Sequence, residues 1–160
     1  MRYYATRFSI ALVISLIYFP ITTKAQTPSE AINHYKDAAR KVGKGDLDGA
    51  IEEYSRAIAI SSRLGFAKEG GADAESIRIV NPFTANAYTN RGVARYRKKD
   101  FPGATADFNA AIRIRPALAE AYLNRAAARR EMGDPEGSLQ DLNKAIALKS
   151  DFAAAFSNRG

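Results

Sequence analysis

Apolar and small residues recur at spacings of three and four along most of the chain after residue 30. This period is typical of amphipathic helices that bury one face against a neighbour. Short polar breaks interrupt the pattern at regular intervals, so a series of packed helices is expected. The pattern predicts helices at about Ser29–Val42, from Asp46 to about Leu64, Ala85–Lys98, Phe101–Arg113, Ala119–Met132 and Pro135–Leu148.

Capping residues stand where these helices should begin. Thr27 and Glu30 have the spacing of a capping box before the first helix. Asp46, Asp100 and Asp134 stand immediately before later helices. A carboxylate there accepts a hydrogen bond from a free backbone N–H of the first turn. The polar residues therefore predict the same helix starts as the apolar pattern.

One unit of this pattern, Ala85–Pro116, returns thirty-four residues later. A third start, Ala153–Gly160, places an aromatic, an asparagine, an arginine and a glycine at the matching positions. Fixed self-similarity at this period is typical of a helix–turn–helix solenoid. Such a chain buries its apolar faces by stacking one repeat on the next.

Small and aromatic residues recur at fixed positions of the unit. In the first full copy they are Tyr88, Gly92, Ala104, Phe108, Ala111 and Pro116, and in the next they are Tyr122, Ala126, Ser138, Leu142 and Ala145, with Ser150 in place of the proline. In this pattern the unit resembles the tetratricopeptide repeat (TPR). The resemblance implies an all-α, TPR-type solenoid with a right-handed superhelix of about three repeats. These residues are then expected to form the structural core of the repeats.

The resemblance divides the chain into segments. A degenerate first repeat covers 26–62, an insertion 63–84, the second repeat 85–118, the third 119–152, and the start of a fourth 153–160. The insertion is rich in Gly, Ala and charge, and we expect a surface loop that ends where Pro82 opens the next helix. Insertions of this kind often lie on a binding face, but a loop without a role fits equally well.

Residues 1–25 have the pattern of a secretory signal peptide. Arg2 and Arg7 precede an apolar run, and Thr23 and Ala25 precede the expected cleavage point. The alternative, an uncleaved membrane anchor, needs about 20 apolar residues, and Pro20 interrupts this run. We expect cleavage after Ala25 and a periplasmic or secreted chain, with membrane contact only through this segment if it is not removed.

Composition excludes several kinds of chemistry. The chain has no cysteine and one histidine, so disulfides and thiolate metal sites are excluded, and His34 alone does not make a metal site. His34 stands at a packing position. No nucleophile elbow, P-loop or zinc-protease motif occurs, so no catalytic residue, cofactor or metal is expected. The net charge of +7 falls by three, to +4, without Arg2, Arg7 and Lys24, which favours solubility over nucleic-acid binding.

The resemblance also implies a binding surface, because the first helices of TPR units line a concave groove. Asn90, Asn124 and Asn158 recur at position 6 of successive units, where an amide can pair with a peptide backbone. The alternative is that they only solvate an exposed face. The other expected groove residues are Lys36, Val93, Arg97, Ala127 and Arg130. The carboxylate clamp that some TPR domains use for acidic C-termini needs Lys and Asn where this chain has Tyr35 and Ala39.

Arginine and aspartate recur together in the same units. Arg91 and Arg125 occupy position 7, and Asp107 and Asp141 occupy position 23. We expect structural ion pairs, in which the arginine stem packs on apolar neighbours while its head meets a carboxylate. Ligand contact by the arginines is the alternative.

These observations predict a non-catalytic interaction module that holds an extended peptide or a helix of a protein partner in its groove. An alternative is the recruiting part of a larger exported enzyme or envelope assembly factor. Self-association through the C-terminal repeat edge is a further possibility. The apolar segment Phe152–Phe156 lacks the polar character of a capping helix, which favours a fragment of a longer array.

Overall fold

The computed structural model describes residues 27–66, 74–150 and 153–159, and the side chains of these residues except 65–66, 74–81, 154, 156 and 159. The described part of the chain is helical and contains no strand. Its helices are α1 (Pro28–Gly43), α2 (Leu47–Phe66), α3 (Ala74–Arg97), α4 (Phe101–Ile114), α5 (Ala119–Glu131), α6 (Pro135–Leu148) and α7 (Ala153–Arg159).

Side chains cap the helix starts that the sequence predicts. Thr27 and Glu30 form a complete capping box at α1. Asp134 accepts a hydrogen bond from the backbone N–H of Gly137 at 2.8 Å, and the same bond joins Asp100 to Gly103 and Asp46 to Gly49. A Cβ atom at any of these glycines would collide with the capping carboxylate. The repeated unit is therefore Asp-x-x-Gly, in which the glycine leaves space for the cap.

The helices pack as three successive pairs, α1 with α2, α3 with α4, and α5 with α6. Each pair contacts the next through α2 and α3, and through α4 and α5, while α7 packs on α6. The prediction of an all-α solenoid of about three repeats is confirmed, because stacked helix pairs of this kind are its defining arrangement.

Small residues at the helix crossings let the larger ones fill the core. Phe108 is fully buried with Ala104 and Ala128, and a Cβ atom on Gly92 would lie 2.6 Å from its ring. In the third pair, Tyr122, Ala126, Leu142 and Ala145 form one buried cluster, which Ala155 of α7 joins. The small positions are thus required by the close approach of neighbouring helices.

Two details differ from the sequence-based expectations. Helix α3 begins at Ala74, so Pro82 lies inside the helix instead of opening it. Pro82 has no backbone N–H to donate, so α3 lacks one hydrogen bond there. Pro116, expected in the repeat core, is exposed in the connection between α4 and α5, where a proline stops the preceding helix.

The predicted signal peptide, residues 1–25, lies outside the described residues. Within the described helices, none has the length and apolar character needed to cross a membrane.

Candidate functional site

Helices α1, α3 and α5 form one face of the solenoid. Helix α1 contacts α3, and α3 contacts α5, in addition to the contacts within each pair. The face therefore carries side chains from all three repeats. The sequence predicts a peptide-binding groove on the first helices of the repeats, and two cavities are lined by residues of these helices.

The larger cavity, of about 270 Å³, lies between α1, α3 and the start of α5. Its lining is mostly polar and consists of Tyr35, Asn86, Thr89, Asn90, Arg115, Leu118 and Glu120. Arg115 and Glu120 are both exposed, and neither forms an ion pair within the described part of the chain. The cavity thus offers a cation, an anion and several uncharged hydrogen-bonding groups to a ligand.

The smaller cavity, of about 190 Å³, lies between α1, α2 and α3. Its lining is more apolar and consists of Ala39, Val42, Tyr54, Asn90, Val93 and Ala94. Asn90 borders both cavities. A chain laid along this face would therefore pass Asn90 with a polar space on one side and an apolar space on the other.

Tyr35 is held firmly at the centre of this site. Its hydroxyl oxygen accepts a hydrogen bond from Asn90 Nδ2 at 2.7 Å. Its ring lies 5.5 Å from the ring of Tyr54 and 5.2 Å from that of Phe83, measured between centroids. Burial raises the pKa of the Tyr35 hydroxyl, against the effect of the Asn90 hydrogen bond. Tyr35 therefore stays protonated and joins the first repeat to the second.

Tyr54 lies beneath this pair and is 2% exposed. Burial raises the pKa of its hydroxyl to about 12, with a further increase from Tyr35, while a hydrogen bond with Asn90 acts in the opposite direction. The Asn90 amide thus meets two tyrosine hydroxyls. Its orientation is set by neighbours from α1 and α2.

The predicted groove residues differ in where the structure places them. Asn90 and Val93 line the cavities, while Asn124 and Ala127 are half-buried further along α5. The remaining predicted residues, Lys36, Arg97, Arg130 and Asn158, are exposed and border neither cavity. Sequence reasoning assigned no binding role to Tyr35, Arg115 or Leu118. The signal for Tyr35 was its place one residue before position 6, where its polar tip reaches the asparagine of the next repeat.

The arginines of the repeats are occupied by structural ion pairs. Arg91 donates to both carboxylate oxygens of Asp107, at 2.9 Å and 2.6 Å. Arg125 makes the same pair with Asp141, at 2.8 Å and 2.5 Å. Both carboxylates are buried, and the geometry is the bidentate form that gives strong, oriented pairing. These guanidinium groups are therefore fixed by the carboxylates of their own helix pairs.

In the first repeat, a histidine contacts the buried carboxylate in place of an arginine. Glu53 occupies position 23 and is buried, but position 7 carries Asp37 instead of arginine. His34 Nδ1 lies 2.7 Å from Glu53 Oε2, and Lys41 Nζ lies 3.1 Å from Oε1. His34 therefore has a structural partner. No group of three or more metal-ligating side chains occurs among the described residues.

Comparison with known proteins agrees with this arrangement. Residues 119–152 match the model of the tetratricopeptide-repeat family. The match covers the third helix pair, α5 and α6. It is also 31% identical, over 90 residues, to the Hsp70-Hsp90 organizing protein of Triticum aestivum, a match that covers 56% of this chain. The chain spans about 15% of the length of that relative.

Solved TPR domains have the same fold. The first TPR of Spaghetti (RPAP3), bound to the HSP90 peptide SRMEEVD, superposes with a TM-score of 0.68 at 20% identity, over 85% of this chain and 92% of that one. The second TPR domain of human RPAP3, in complex with the HSP70 peptide SGPTIEEVD, gives a TM-score of 0.66 at 22% identity, over 83% and 95%. At these identities the likeness establishes the fold of the described helices as a TPR solenoid.

Proposed function

We propose that this chain is a non-catalytic protein-interaction module that binds an extended segment of a partner on the face formed by α1, α3 and α5. The observation that carries the proposal is the pair of cavities of about 270 and 190 Å³ that meet at Asn90. A face with one polar and one apolar space beside a shared amide suits a peptide backbone with alternating side chains.

The similar proteins support this class of function. The two RPAP3 domains are TPR domains bound to short peptides, and the wheat relative is named for organising Hsp70 and Hsp90. The partner of this chain is a separate question, since Tyr35 and Ala39 stand where clamp-type domains require Lys and Asn. We therefore expect the chain to bind SRMEEVD more weakly than the RPAP3 domain does.

A selection experiment tests the proposal. Residues 26–160 are immobilised and used to select amidated octapeptides from a displayed random library, and the affinity of the best peptide is measured by fluorescence anisotropy. We expect the Asn90→Ala/Asn124→Ala variant to lose at least about tenfold in affinity, because it removes two amides from the face. Gln140→Ala, which removes an exposed amide on α6, is the matched control.

The proposal fails if no peptide is selected, or if Asn90→Ala/Asn124→Ala binds as the unaltered chain does. Circular dichroism of each variant separates loss of binding from loss of helix. If Gln140→Ala weakens binding instead, the outer helices form the binding surface.

We also propose that the chain is exported and acts outside the cytoplasm. The support is the charged and apolar pattern of residues 1–25 and the small residues Thr23 and Ala25 before the expected cleavage point. Mass spectrometry of the chain recovered from the periplasm or medium tests this, since cleavage after Ala25 would leave Gln26 as the first residue. A chain that stays in the cytoplasm with residues 1–25 attached contradicts the proposal.

A further inference from the structure

The hydroxyl of Tyr35 and the amide of Asn90 each have hydrogen-bonding capacity left over on the larger cavity. Tyr35 Oη accepts from Asn90 Nδ2, so the hydroxyl proton is not used in this bond. A phenol can donate one hydrogen bond while it accepts another, and an amide oxygen is a separate acceptor. The hydrogen bond of Asn90 with Tyr54 also lowers the pKa of the phenol, so there too the amide N–H donates and the phenol oxygen accepts. Neither bond uses the Tyr35 proton or Asn90 Oδ1, and no other hydrogen bond among the described residues does. One donor and one acceptor therefore stand side by side.

This combination does not recur at the equivalent positions of the other repeats. Thr89 occupies the place of Tyr35 in the second repeat, but its hydroxyl donates to the backbone oxygen of Ala85 at 2.9 Å. Leu123 occupies the place in the third repeat and has no polar group. The asparagines that follow these positions, Asn124 and Asn158, therefore have no free hydroxyl beside them from the preceding repeat. Among the described repeats, the hydroxyl–amide pair exists between α1 and α3 alone.

The chemistry of the pair matches one residue of an extended peptide. In an extended chain, the N–H and C=O of the same residue point to the same side, which is how antiparallel strands exchange two hydrogen bonds. A donor and an acceptor fixed next to each other can satisfy both groups. The ring of Tyr35 is already held by Tyr54 and Phe83, so binding would restrict this side chain little further.

We propose that Tyr35 is a peptide-binding residue, whose O–H donates to the C=O of one residue of an extended partner segment while Asn90 Oδ1 accepts the N–H of that same residue. This inference rests on the proposed function and adds to it the point at which the segment is anchored. Tyr35 and Asn90 would bind only backbone groups of the partner, so many partner sequences are compatible with the contact. The group bound is an uncharged peptide unit, whereas clamp-type domains bind a carboxylate. The neighbouring side chains then enter the polar and apolar cavities.

The first test uses the amidated octapeptide selected against the unaltered chain. Tyr35→Phe removes the hydroxyl and keeps the ring that packs on Tyr54 and Phe83. We expect a loss of affinity of about 3- to 10-fold, the usual effect of one hydrogen bond between uncharged groups. Tyr96→Phe removes a hydroxyl from a tyrosine that packs on Phe101, away from both cavities, and we expect no change.

The second test separates direct contact from an effect through Asn90. Octapeptides with one amide replaced by an ester lose a single N–H, and a scan along the peptide identifies the N–H that Asn90 Oδ1 accepts. We expect one ester peptide to bind the unaltered chain more weakly than the amide peptide does. Asn90→Leu should bind the ester and amide peptides with equal affinity. An ester in place of the next amide makes the C=O of the same residue a weaker hydrogen-bond acceptor. We expect this ester to weaken binding to the unaltered chain and to have no effect on binding to Tyr35→Phe.

The outcomes distinguish the inference from the function on which it rests. A peptide that Asn90→Ala/Asn124→Ala loses but Tyr35→Phe binds with full affinity leaves the function standing and overturns the role of Tyr35. Ester penalties that persist unchanged in Tyr35→Phe and Asn90→Leu overturn it as well. If no octapeptide is selected at all, the proposed function fails, and the anchor fails with it.

Discussion

Arg91 and Asp107 are joined by two parallel hydrogen bonds, and Arg91 Nη1 also donates to Ser55 Oγ of the preceding repeat at 2.9 Å. Arg125 repeats the arrangement with Asp141 and, at 2.6 Å, with Asn109. Each arginine therefore connects three helices, namely its own, its partner in the pair, and the second helix of the repeat before. The stacking of repeats is thus stabilised by polar contacts, part-buried at Ser55 and exposed at Asn109, as well as by apolar packing.

We expect Asp107→Asn to lower the free energy of unfolding by about 3 kcal/mol, because it leaves Arg91 and Arg95 without the charge that both contact. Urea unfolding followed by circular dichroism measures this. The control is Asp48→Asn, whose pair with Lys98 is exposed and should contribute at most about 1 kcal/mol. Equal effects of the two substitutions would show that the buried pair adds no stability.

Even alanine, the smallest side chain, should destabilise the fold at position 92. An alanine there places Cβ 2.6 Å from Cε1 of Phe108, so we expect Gly92→Ala to destabilise the fold by about 1–3 kcal/mol through overpacking. The third repeat has Ala126 and Leu142 at the same positions. Phe108→Leu should therefore recover part of the loss in the double variant, and the thermal midpoints of the four proteins measure this coupling. Strictly additive effects would contradict the steric explanation.

The capping carboxylates should contribute similar amounts at each repeat. Asp134→Ala removes the bond to the backbone N–H of Gly137, and we expect a loss of about 1 kcal/mol in urea unfolding. Gly137→Ala should produce a comparable loss while the aspartate remains, because the new methyl group displaces the carboxylate. The exposed Glu136 lies between them and makes a suitable control as Glu136→Ala. A stable Gly137→Ala variant would mean that the cap tolerates a side chain there.

The first repeat should lose stability in acid. The hydrogen bond from His34 holds the pKa of Glu53 below its ordinary value of 4.5; burial opposes this effect, and Lys41 adds to it. Because the unfolded chain then binds the proton more readily, the stabilisation by Glu53 is complete above pH 4.5 and is lost as pH falls through the lowered pKa.

Urea unfolding from pH 3 to 7 tests this dependence. We expect the difference in stability between the unaltered chain and Glu53→Gln to shrink as the pH falls below about 4.5. Glu52→Gln, which alters an exposed neighbour, should show no such trend. A difference that is constant with pH would mean that Glu53 has the same pKa in the folded and unfolded chains.

Much of the fold could be predicted because its determinants are local. The start of α5 follows from the connection at Pro116, and the start of α6 follows from Asp134. The length of each helix follows from the apolar spacing within one unit. The start of α3 could not be predicted in this way, since a proline usually marks a helix start and Pro82 here lies inside the helix. Of the expected groove residues, Asn90 and Val93 border cavities, while the exposed Arg97 and Arg130 keep their predicted role only as a hypothesis.

The sequence by itself determined the period of the repeat, because the unit recurs after thirty-four residues. It also determined the helical class and the pairing of Arg91 with Asp107, because both depend on residues within one repeat. The tertiary structure decided where the candidate site lies. Tyr35 and Asn90 are 55 residues apart, and the insertion between them hides their relation in the repeat pattern. Their contact exists only because stacking brings α1 against α3, which leaves one tyrosine hydroxyl beside one amide on a shared cavity.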